Sequence, residues 1–317
     1  MTYGPLAFRN GEVGERLVSG MMWQMFVRRL KSILQISEDK RFAELATGLE
    51  QLGRSVIALT ADADQLAQAR RFQSAAVLRG FAEEEAAKVL ILLDIARCGW
   101  GDEKLISSCM GVFYQHLGRG LYVKAYDAKP ADLAEVASYI DGFRDDLYLD
   151  GPTEVDWVFR NPVLEERETA LYVDYVETES GERYWTGPEA RAALFDEPYM
   201  HTAPTCNAVT LVCAMARSGL LTELGLQAIR DVWGGAAIAV DSMRWQRDLV
   251  PLNKAVVEAV IGGGGVPADA DQEDLRNVIR LWIFPLSSLD LTAVKVDVKD
   301  LQQERAEYLE KEYGIGG

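Results

Sequence analysis

Residues 71–93 read RFQSAAVLRGFAEEEAAKVLILL, and the fold prediction begins from this stretch. Apolar residues recur in it at steps of three and four, which is the spacing of one face of an α-helix. The pattern predicts a helix from about Phe72 to Arg97, with Gly99 placed to end it.

Charged residues interrupt the apolar face of this predicted helix. One face carries Val77, Phe81, Glu84, Lys88, Ile91 and Ile95. Burying an unpaired carboxylate or ammonium group is costly, and Glu84 and Lys88 have the favourable i, i+4 order for pairing. We interpret them as an ion pair that either fixes helix packing or lies at a functional cleft. Glu83 is assigned to the solvent side of the helix, together with Arg79 and Asp94.

Helical periodicity continues on both sides of this stretch. Before it, the pattern predicts helices over 15–35 and 40–69; after it, over 102–117, ended by Gly118 and Gly120, and from Pro130 to about Leu147. The later predicted segments are 187–196, 203–217, 221–247, 251–261, 271–283 and 298–313. Gly262 to Gly265 predicts a flexible loop.

The stretch from about 150 to 186 is the least helical part of the sequence. Residues 170–176 are rich in β-formers, and Ser180-Gly181 separates them from Arg183 to Thr186. This pattern predicts a small β-hairpin near 170–186. The Trp and Tyr side chains around 157–185 either pack in the core, which we prefer, or form a surface that binds a partner.

The composition limits the classes of function. The chain has 317 residues, of which 49% are hydrophobic, so it can bury a full core. A formal net charge of −16 repels nucleic acid on average, so an RNA-binding role needs a local basic patch. Arg28, Arg29 and Lys31, or Arg70 and Arg71, are candidates for such a patch, although solvated helix faces are the preferred interpretation.

The sequence does not show the patterns of a signal peptide, a membrane span or a zinc site. Its first 20 residues have no apolar signal-peptide core, and Met200 to Ala216 is interpreted as a buried helix rather than a membrane span. Four cysteines without paired spacing and two histidines predict no zinc site. We therefore expect a cytoplasmic protein without membrane contact, metal or cofactor.

Two separate elements resemble the AbiV abortive-infection family. Glu84-Glu85-Ala86-Ala87-Lys88 is similar to the family's Glu-Glu-x-Gly-Lys motif on its second core helix, with Ala87 where glycine is usual. Residues 167–175 resemble the family's Leu-Tyr-Val-Asp segment, and Trp185-Thr186-Gly187-Pro188 resembles the aromatic-x-x-Pro that follows it. The resemblance covers about residues 45–215.

The resemblance implies an all-α protein with an HEPN-like helical bundle and extra C-terminal helices. The corresponding division is an N-terminal helical extension at 1–40, an AbiV/HEPN-like domain at 41–215, and a helical region at 216–317 packed on that domain. It also implies a homodimer that stops phage multiplication, with a phage-encoded protein as a candidate trigger and RNA as a candidate partner.

HEPN relatives are commonly metal-independent ribonucleases that use an Arg-x(4–6)-His motif. In such chemistry the 2′-hydroxyl of RNA is the nucleophile, a histidine exchanges a proton, and an arginine holds the phosphate. That motif is absent here, because no arginine precedes His116 or His201 at the required distance. Arg119 is the candidate substitute, although Gly118 is expected to end the helix between it and His116.

The candidate catalytic residues are therefore Glu84, Lys88, His116 and Arg119. One hypothesis is an anti-phage effector that impairs RNA or translation. The alternative is a non-catalytic HEPN-like module that senses or binds a phage or host protein, and a third is a helical scaffold in which the Glu84–Lys88 pair is only structural. Convergence of Glu84, Lys88 and His116 at one cleft favours the enzyme; a buried pair remote from His116 opposes it.

Overall fold

The structure is a computed structural model that describes residues 30–98, 103–128, 130–149, 158–177, 181–188, 205–234 and 237–314. These residues are mainly α-helical, with two small antiparallel sheets and one isolated parallel β-bridge, between Asp145 and Val294, among the described residues. The all-α class and the β-hairpin near 170–186 are confirmed. His201 and most of the predicted helix at 187–196 lie outside the described residues.

Two long helices form the centre of the fold. Helix α1 spans Glu38–Gln68 and α2 spans Phe72–Cys98, so both predicted helices are confirmed within about two residues. A three-residue turn joins them, and Arg70 in this turn has a positive φ of 58°. The C-terminal half of α2 is almost completely buried because helices pack around it.

Four shorter helices follow. They are α3, Glu103–Val112; α4, His116–Asp127; α5, Leu133–Asp141; and α6, Pro162–Leu171. Two of them, α4 and α6, form the candidate site together with α2. The Asn161 side chain caps α6 by accepting hydrogen bonds from the backbone N–H groups of Val163 and Leu164. Helix α4 packs against both α2 and α6, which brings side chains from three helices together.

The prediction of one helix over 102–117, ended by glycine, is wrong. The helix breaks earlier, after Val112, and α4 starts at His116 and continues through Gly118 and Gly120. A Cβ atom at Gly118 would lie 2.7 Å from Val112 Cγ1, and one at Gly120 would lie 2.1 Å from Val163 Cγ1. These glycines therefore allow close packing of α4 rather than ending a helix.

We expect Gly120→Ala to destabilise the fold by about 1–3 kcal/mol, because the added methyl group overlaps Val163 on α6. Gly48→Ala is the matched control, since a Cβ at Gly48 in α1 meets nothing within 4 Å. Alanine there should stabilise the protein by about 0.5–1 kcal/mol. Urea unfolding measures both changes, and Val163→Ala in the Gly120→Ala background should recover stability. Equal effects of the two glycine substitutions would contradict the packing explanation.

The strands form two small antiparallel sheets within the described residues. Strand β1 (Leu147–Leu149) pairs with β2 (Val158–Arg160), and β3 (Asp174–Glu177) pairs with β4 (Arg183–Thr186). The predicted extension of the fifth helix to Leu147 is wrong, because α5 ends at Asp141. Tertiary contacts replace the helix there: Arg144 bonds to Asp290 and to the carbonyl of Thr292.

The C-terminal part adds five α-helices to the described structure. They are α7, Asn207–Arg217; α8, Glu223–Trp233; α9, Val250–Gly262; α10, Gln272–Leu281; and α11, Val298–Tyr313. The single helix predicted over 221–247 is wrong, since α8 ends before Gly234 and is followed by a 3₁₀ segment, Ala237–Ser242, and a π-helical turn, Trp245–Leu249. The glycine-rich loop after α9 is confirmed, with Gly264 at a φ of 73°.

The predicted domain boundaries stay predictions. One hydrophobic core cluster contains residues from both sides of the boundary at 215–216, including Leu211 and Leu226. Within the predicted N-terminal extension, the described residues form a 3₁₀ segment, Leu30–Gln35, and the start of α1. None of the described helices has both the length and the apolar character needed to cross a membrane.

A buried ion pair lies inside the core, where the sequence predicted a solvent-facing residue. Asp94 is fully buried and accepts hydrogen bonds from Arg97 Nη1 (3.1 Å), the Tyr122 hydroxyl (3.2 Å) and the Leu286 backbone N–H (2.7 Å). The prediction for Asp94 is wrong because segments distant in sequence cover this side of α2.

Arg97 completes this network from the same helix. Its Nη2 donates to the carbonyl oxygen of Ile283 at 2.7 Å, and its guanidinium carbon lies 4.2 and 4.6 Å from the ring centroids of Trp233 and Trp282. A positive charge over an aromatic face is attracted to the ring. The Asp94–Arg97 pair therefore joins α2 to α8 and to the segment after α10.

Candidate functional site

A cleft of about 440 Å³ opens beside α2, α4 and α6. Its walls are mainly apolar and include Phe72, Val77, Phe81, Val123, Leu164 and Leu171. Polar and charged side chains line the rest: Arg79, Glu83, Glu84, His116, Lys124, Asp127, Glu166, Arg167 and Cys206. An apolar cleft of this volume with a few convergent polar groups has the character of a small-molecule or substrate site.

Three cationic or polar side chains converge on the carboxylate of Glu84. Glu84 Oε1 lies 2.8 Å from His116 Nδ1, and Oε2 lies 2.8 Å from Arg119 Nη2. The Nε of Arg167 lies 3.0 Å from Oε1, close enough for an ion pair but without hydrogen-bond geometry. We call these four residues the Glu84 cluster; α2, α4 and α6 each contribute to it.

Helix α4 places two members of the cluster together. His116 is the first residue of α4 and Arg119 is one turn later, so both side chains project from the same end of the helix. The expectation that Gly118 ends a helix between them is wrong. Because α4 continues through Gly118, His116 and Arg119 lie one turn apart on the same helix. Glu84, His116 and Arg119, three of the four predicted residues, thus meet at one place.

Lys88 is the predicted residue that does not join the cluster. It pairs with Glu85 at i, i−3, and its Nζ lies 5.7 Å from the ring centroid of Phe113. The predicted Glu84–Lys88 pair is wrong because the carboxylate of Glu84 is already occupied by partners from α4 and α6. A lysine in a helix can pair with a carboxylate three or four positions away. Because tertiary contacts occupy Glu84, Lys88 pairs with Glu85.

Glu84 is held in its ionised form. Burial by itself raises the pKa of this carboxyl, but the hydrogen bond from His116 and the positive charge of Arg119 outweigh it. The pKa of Glu84 therefore lies below its ordinary value. An ionised carboxylate only accepts hydrogen bonds, so Glu84 is the acceptor for His116 and Arg119 and the counter-charge of Arg167.

The hydrogen bonds of the cluster determine which nitrogen of His116 carries a proton. Nδ1 lies 2.8 Å from both Glu84 Oε1 and Arg119 Nη2, but a guanidinium only donates and a carboxylate only accepts. One Nδ1 cannot serve both. A lone pair on Nδ1 would face the lone pairs of the carboxylate oxygen at 2.8 Å, so we infer that Nδ1–H donates to Oε1. In the neutral ring, Nε2 then has the lone pair.

That arrangement leaves a base at the cleft. The His116 side chain is 46% exposed and lines the cleft, so the imidazole ring is open to a bound molecule. A carboxylate that holds the opposite nitrogen of an imidazole orients the ring and stabilises the imidazolium that forms when it accepts a proton. The Glu84–His116 pair therefore has the geometry that proton transfer by a histidine requires.

The two arginines of the cluster have different environments. The side chain of Arg119 is 6% exposed, and it donates to Glu84 and to the carbonyl oxygen of Phe113 at 2.9 Å. These contacts make Arg119 a positioning residue. The side chain of Arg167 is 31% exposed and lines the cleft, so Arg167 is the arginine placed to contact an anionic group there.

Glu83 also lines the cleft, and its assignment to the solvent side is wrong. Burial raises the pKa of Glu83 to about 7; Lys124 lowers it, and the negative charges of Glu166 and Asp127 raise it further. Lys124 forms an ion pair with Glu166 at 3.0 Å on the same side of the cleft. Consecutive glutamates on α2 thus have pKa values moved in opposite directions.

The sequence did not identify Arg167 and Glu83 as site residues. Arg167 was visible only as the first residue of the second element that resembles the AbiV family. Glu83 directly precedes Glu84 and lies between the apolar and polar faces of the helix. Periodicity does not show whether a residue at such a position is buried or exposed. Both residues depend on α6 and α4 packing beside α2, which a local pattern does not encode.

Within the described part of the chain, no group of three or more His, Cys, Asp or Glu side chains is arranged to hold a metal ion. Searches of family models, curated proteins and solved structures find no match to this chain. The resemblance to the AbiV family therefore stays a prediction.

Proposed function

We propose that this protein is an anti-phage effector that cleaves RNA with the Glu84–His116 pair. One observation carries the proposal: His116 Nδ1 is held by the ionised carboxylate of Glu84 while the ring lines an accessible cleft beside Arg167. A histidine oriented by a carboxylate, next to a positive charge, matches what cleavage of a phosphodiester by its own 2′-hydroxyl requires.

Each residue has a distinct role in this proposal. His116 Nε2 accepts the proton of the 2′-hydroxyl as the 2′-oxygen attacks the adjacent phosphorus. Arg167 neutralises charge on the phosphate, Glu84 orients His116, and Arg119 positions Glu84. The products are a 2′,3′-cyclic phosphate and a free 5′-hydroxyl.

The resemblance to the AbiV family supplies the biological setting of the proposal. It adds a cytoplasmic homodimer that acts after phage infection, with a phage-encoded protein as the trigger. The net charge of −16 opposes binding of RNA over the whole surface. We therefore expect substrate contact to be confined to the cleft, where Arg79 and Arg167 supply positive charge.

The test combines purified protein with infected cells. Single-stranded RNA and the same sequence with 2′-O-methyl groups are incubated with the protein, and the RNA ends are analysed for a 2′,3′-cyclic phosphate. Cells that express the protein are challenged with phage while total RNA and protein synthesis are followed. Cleavage of RNA but not of the methylated strand supports the proposal. Protection of cells with intact RNA would contradict it.

Arg167→Ala should weaken substrate binding and transition-state stabilisation together. Hydrogen bonds to charged groups contribute about 1.5–3 kcal/mol, so we expect kcat/KM for RNA to fall by roughly 10- to 150-fold. Arg160→Ala is the control, because Arg160 is an exposed arginine of β2 that pairs with Glu168 and does not line the cleft. Steady-state cleavage of a short fluorescent RNA measures both. Equal losses for the two variants would indicate non-specific attraction.

A second candidate function is the non-catalytic module that binds a phage or host protein. The β3–β4 hairpin favours it, because its aromatic residues Tyr175, Tyr184 and Trp185 are exposed rather than packed in the core, contrary to our preferred interpretation. Trp185 is 70% exposed, and its ring centroid is 5.2 Å from that of Tyr175. Exposed aromatic side chains are enriched at protein interfaces. Loss of phage protection in Trp185→Ala with no effect of His116→Ala would select this function.

A further inference from the structure

The cleft contains a second group suited to proton transfer, on the residue next to Glu84. Glu83 and Glu84 are consecutive on α2, and both side chains line the cleft. Consecutive helical residues point in directions about 100° apart. Glu84 therefore meets His116 at the start of α4, whereas Glu83 faces Lys124 and Asp127 farther along that helix.

His116 and Glu83 therefore line one cleft and face different parts of α4. His116 and Lys124 are eight positions apart on α4, which corresponds to about 12 Å along the helix axis. A molecule bound in the cleft can contact both the His116 ring and the Glu83 carboxyl, because both line it. Cleavage of a phosphodiester needs a proton acceptor and a proton donor at separate positions, because the attacking and leaving oxygens lie on opposite sides of the phosphorus.

We propose that Glu83 is the general acid of the cleft and protonates the leaving oxygen of the RNA strand. This inference rests on the proposed ribonuclease function and assigns its second catalytic residue. In the reaction, the 2′-oxygen forms a bond to phosphorus and its proton moves to His116 Nε2. The bond from phosphorus to the 5′-oxygen breaks, and the proton of the Glu83 carboxyl moves to that oxygen. Afterwards His116 releases its extra proton to water, and Glu83 takes up a proton from water.

The surroundings of Glu83 keep a proton available. Burial raises its pKa to about 7, and negative charge nearby adds to this effect. The groups that face Glu83 are Lys124 and Asp127 from α4, Glu166 from α6, and the Cys206 thiol before α7; the cleft also contains Arg79, Glu84, His116 and Arg167. A group with a pKa near the working pH is the most effective acid, since it is protonated often and releases the proton readily.

If Glu83 only stabilised the structure, as a member of a network with Lys124 and Glu166, its replacement would lower the cleavage rate equally for all leaving groups. A general acid matters only for a poor leaving group. Poor leaving groups such as a ribose 5′-oxygen need a proton as they depart, whereas 4-nitrophenolate does not. The two substrates are therefore a dinucleotide and a nucleoside 3′-(4-nitrophenyl phosphate). The variants are Glu83→Gln and, as the matched control, Glu85→Gln, whose carboxylate pairs with Lys88 and does not line the cleft.

We expect Glu83→Gln to lose about 10²–10⁴-fold in kcat on the dinucleotide and to stay within about threefold of wild type on the nitrophenyl ester. Glu85→Gln should match wild type on both substrates. Wild-type activity on the dinucleotide should fall as the pH rises above about 7, where Glu83 loses its proton, and this decline should be missing with the ester. The pH profile uses wild-type protein, so it tests the inference even if the variant does not fold.

Equal losses on the two substrates, or no loss on the dinucleotide, would overturn the role of Glu83. That result leaves the ribonuclease function intact, provided that His116→Ala removes cleavage of both substrates. If wild-type protein cleaves neither substrate, the ribonuclease function itself is overturned together with this inference.

Discussion

Replacing His116 by alanine should reduce RNA cleavage by about 10²–10⁴-fold, the typical contribution of a positioned general base or acid. Without the imidazole, the Glu84 cluster keeps two guanidinium groups, which only donate hydrogen bonds, and the Glu84 carboxylate, whose pKa is lowered by the positive charge of Arg119 and which is therefore a weak base. Single-turnover cleavage of a defined RNA measures the effect on chemistry apart from product release.

The fold should tolerate this substitution. His116 is half-exposed, and the change removes mainly the hydrogen bond to Glu84, which contributes about 0.5–1.5 kcal/mol. A melting temperature close to that of wild type would show that the lost activity is not due to unfolding.

Lys88→Ala is the control variant, because the sequence predicted Lys88 as a catalytic residue and the structure places it outside the cleft. Lys88 pairs with Glu85 and does not line the cleft, so we expect kcat/KM to change by less than about threefold. A large loss in Lys88→Ala combined with full activity in His116→Ala would reverse our assignment. Phage protection should follow the same order, with loss in His116→Ala and retention in Lys88→Ala.

The largest expected effect on stability is that of Asp94→Ala. This change leaves the buried guanidinium of Arg97 without its counter-charge, and it removes an acceptor used by Tyr122 and by the Leu286 N–H. Removing one partner of a buried pair costs about 3–5 kcal/mol. We expect the melting temperature to fall by about 10 °C or more.

The measurement is best made at pH 8. Burial raises the pKa of Asp94 to about 6, although Arg97 and the hydrogen bonds oppose this, so the carboxylate is ionised at pH 8. Because the folded-state pKa lies above the usual value, the native protein binds the extra proton between about pH 4 and pH 6. The contribution of Asp94 to stability therefore falls as the pH rises through this range, and is constant above it.

Two further variants test the pairing itself. Arg54→Ala removes an exposed i, i+4 pair with Glu50 on α1 and should change stability by less than about 0.5 kcal/mol. The double variant Asp94→Ala/Arg97→Ala should be less destabilised than the sum of the single variants, because neither buried charge is then left alone. Strict additivity would mean that the two side chains stabilise the core independently.

Local sequence patterns determined the helices that form the frame of the site. The apolar periodicity of α1 and α2 predicted their bounds because backbone hydrogen bonds in a helix join residues four positions apart. The β-formers around Tyr175 and Trp185 predicted the hairpin for a similar reason, since its two strands are separated by a short turn. Glu84, His116 and Arg119 were selected from residue type and from the family resemblance.

Tertiary structure alone decided which charges are buried and which partners they bind. Asp94 and Glu83 were expected in solvent, but α4 and the segment after α10 cover the first, and α4 with α6 covers the second. Glycine is typical of helix ends, yet Gly118 and Gly120 lie inside α4, where they pack closely against Val112 and Val163.

Arg167 shows the same limit at the site. It lies 83 positions after Glu84 in the sequence and 3.0 Å from it in the structure. Periodicity reports the face of a helix on which a residue lies, because that depends on neighbours within a few turns. The partner of that residue and the pKa of its side chain depend on elements brought from elsewhere in the chain, and those were decided by the packing of α4 and α6 beside α2.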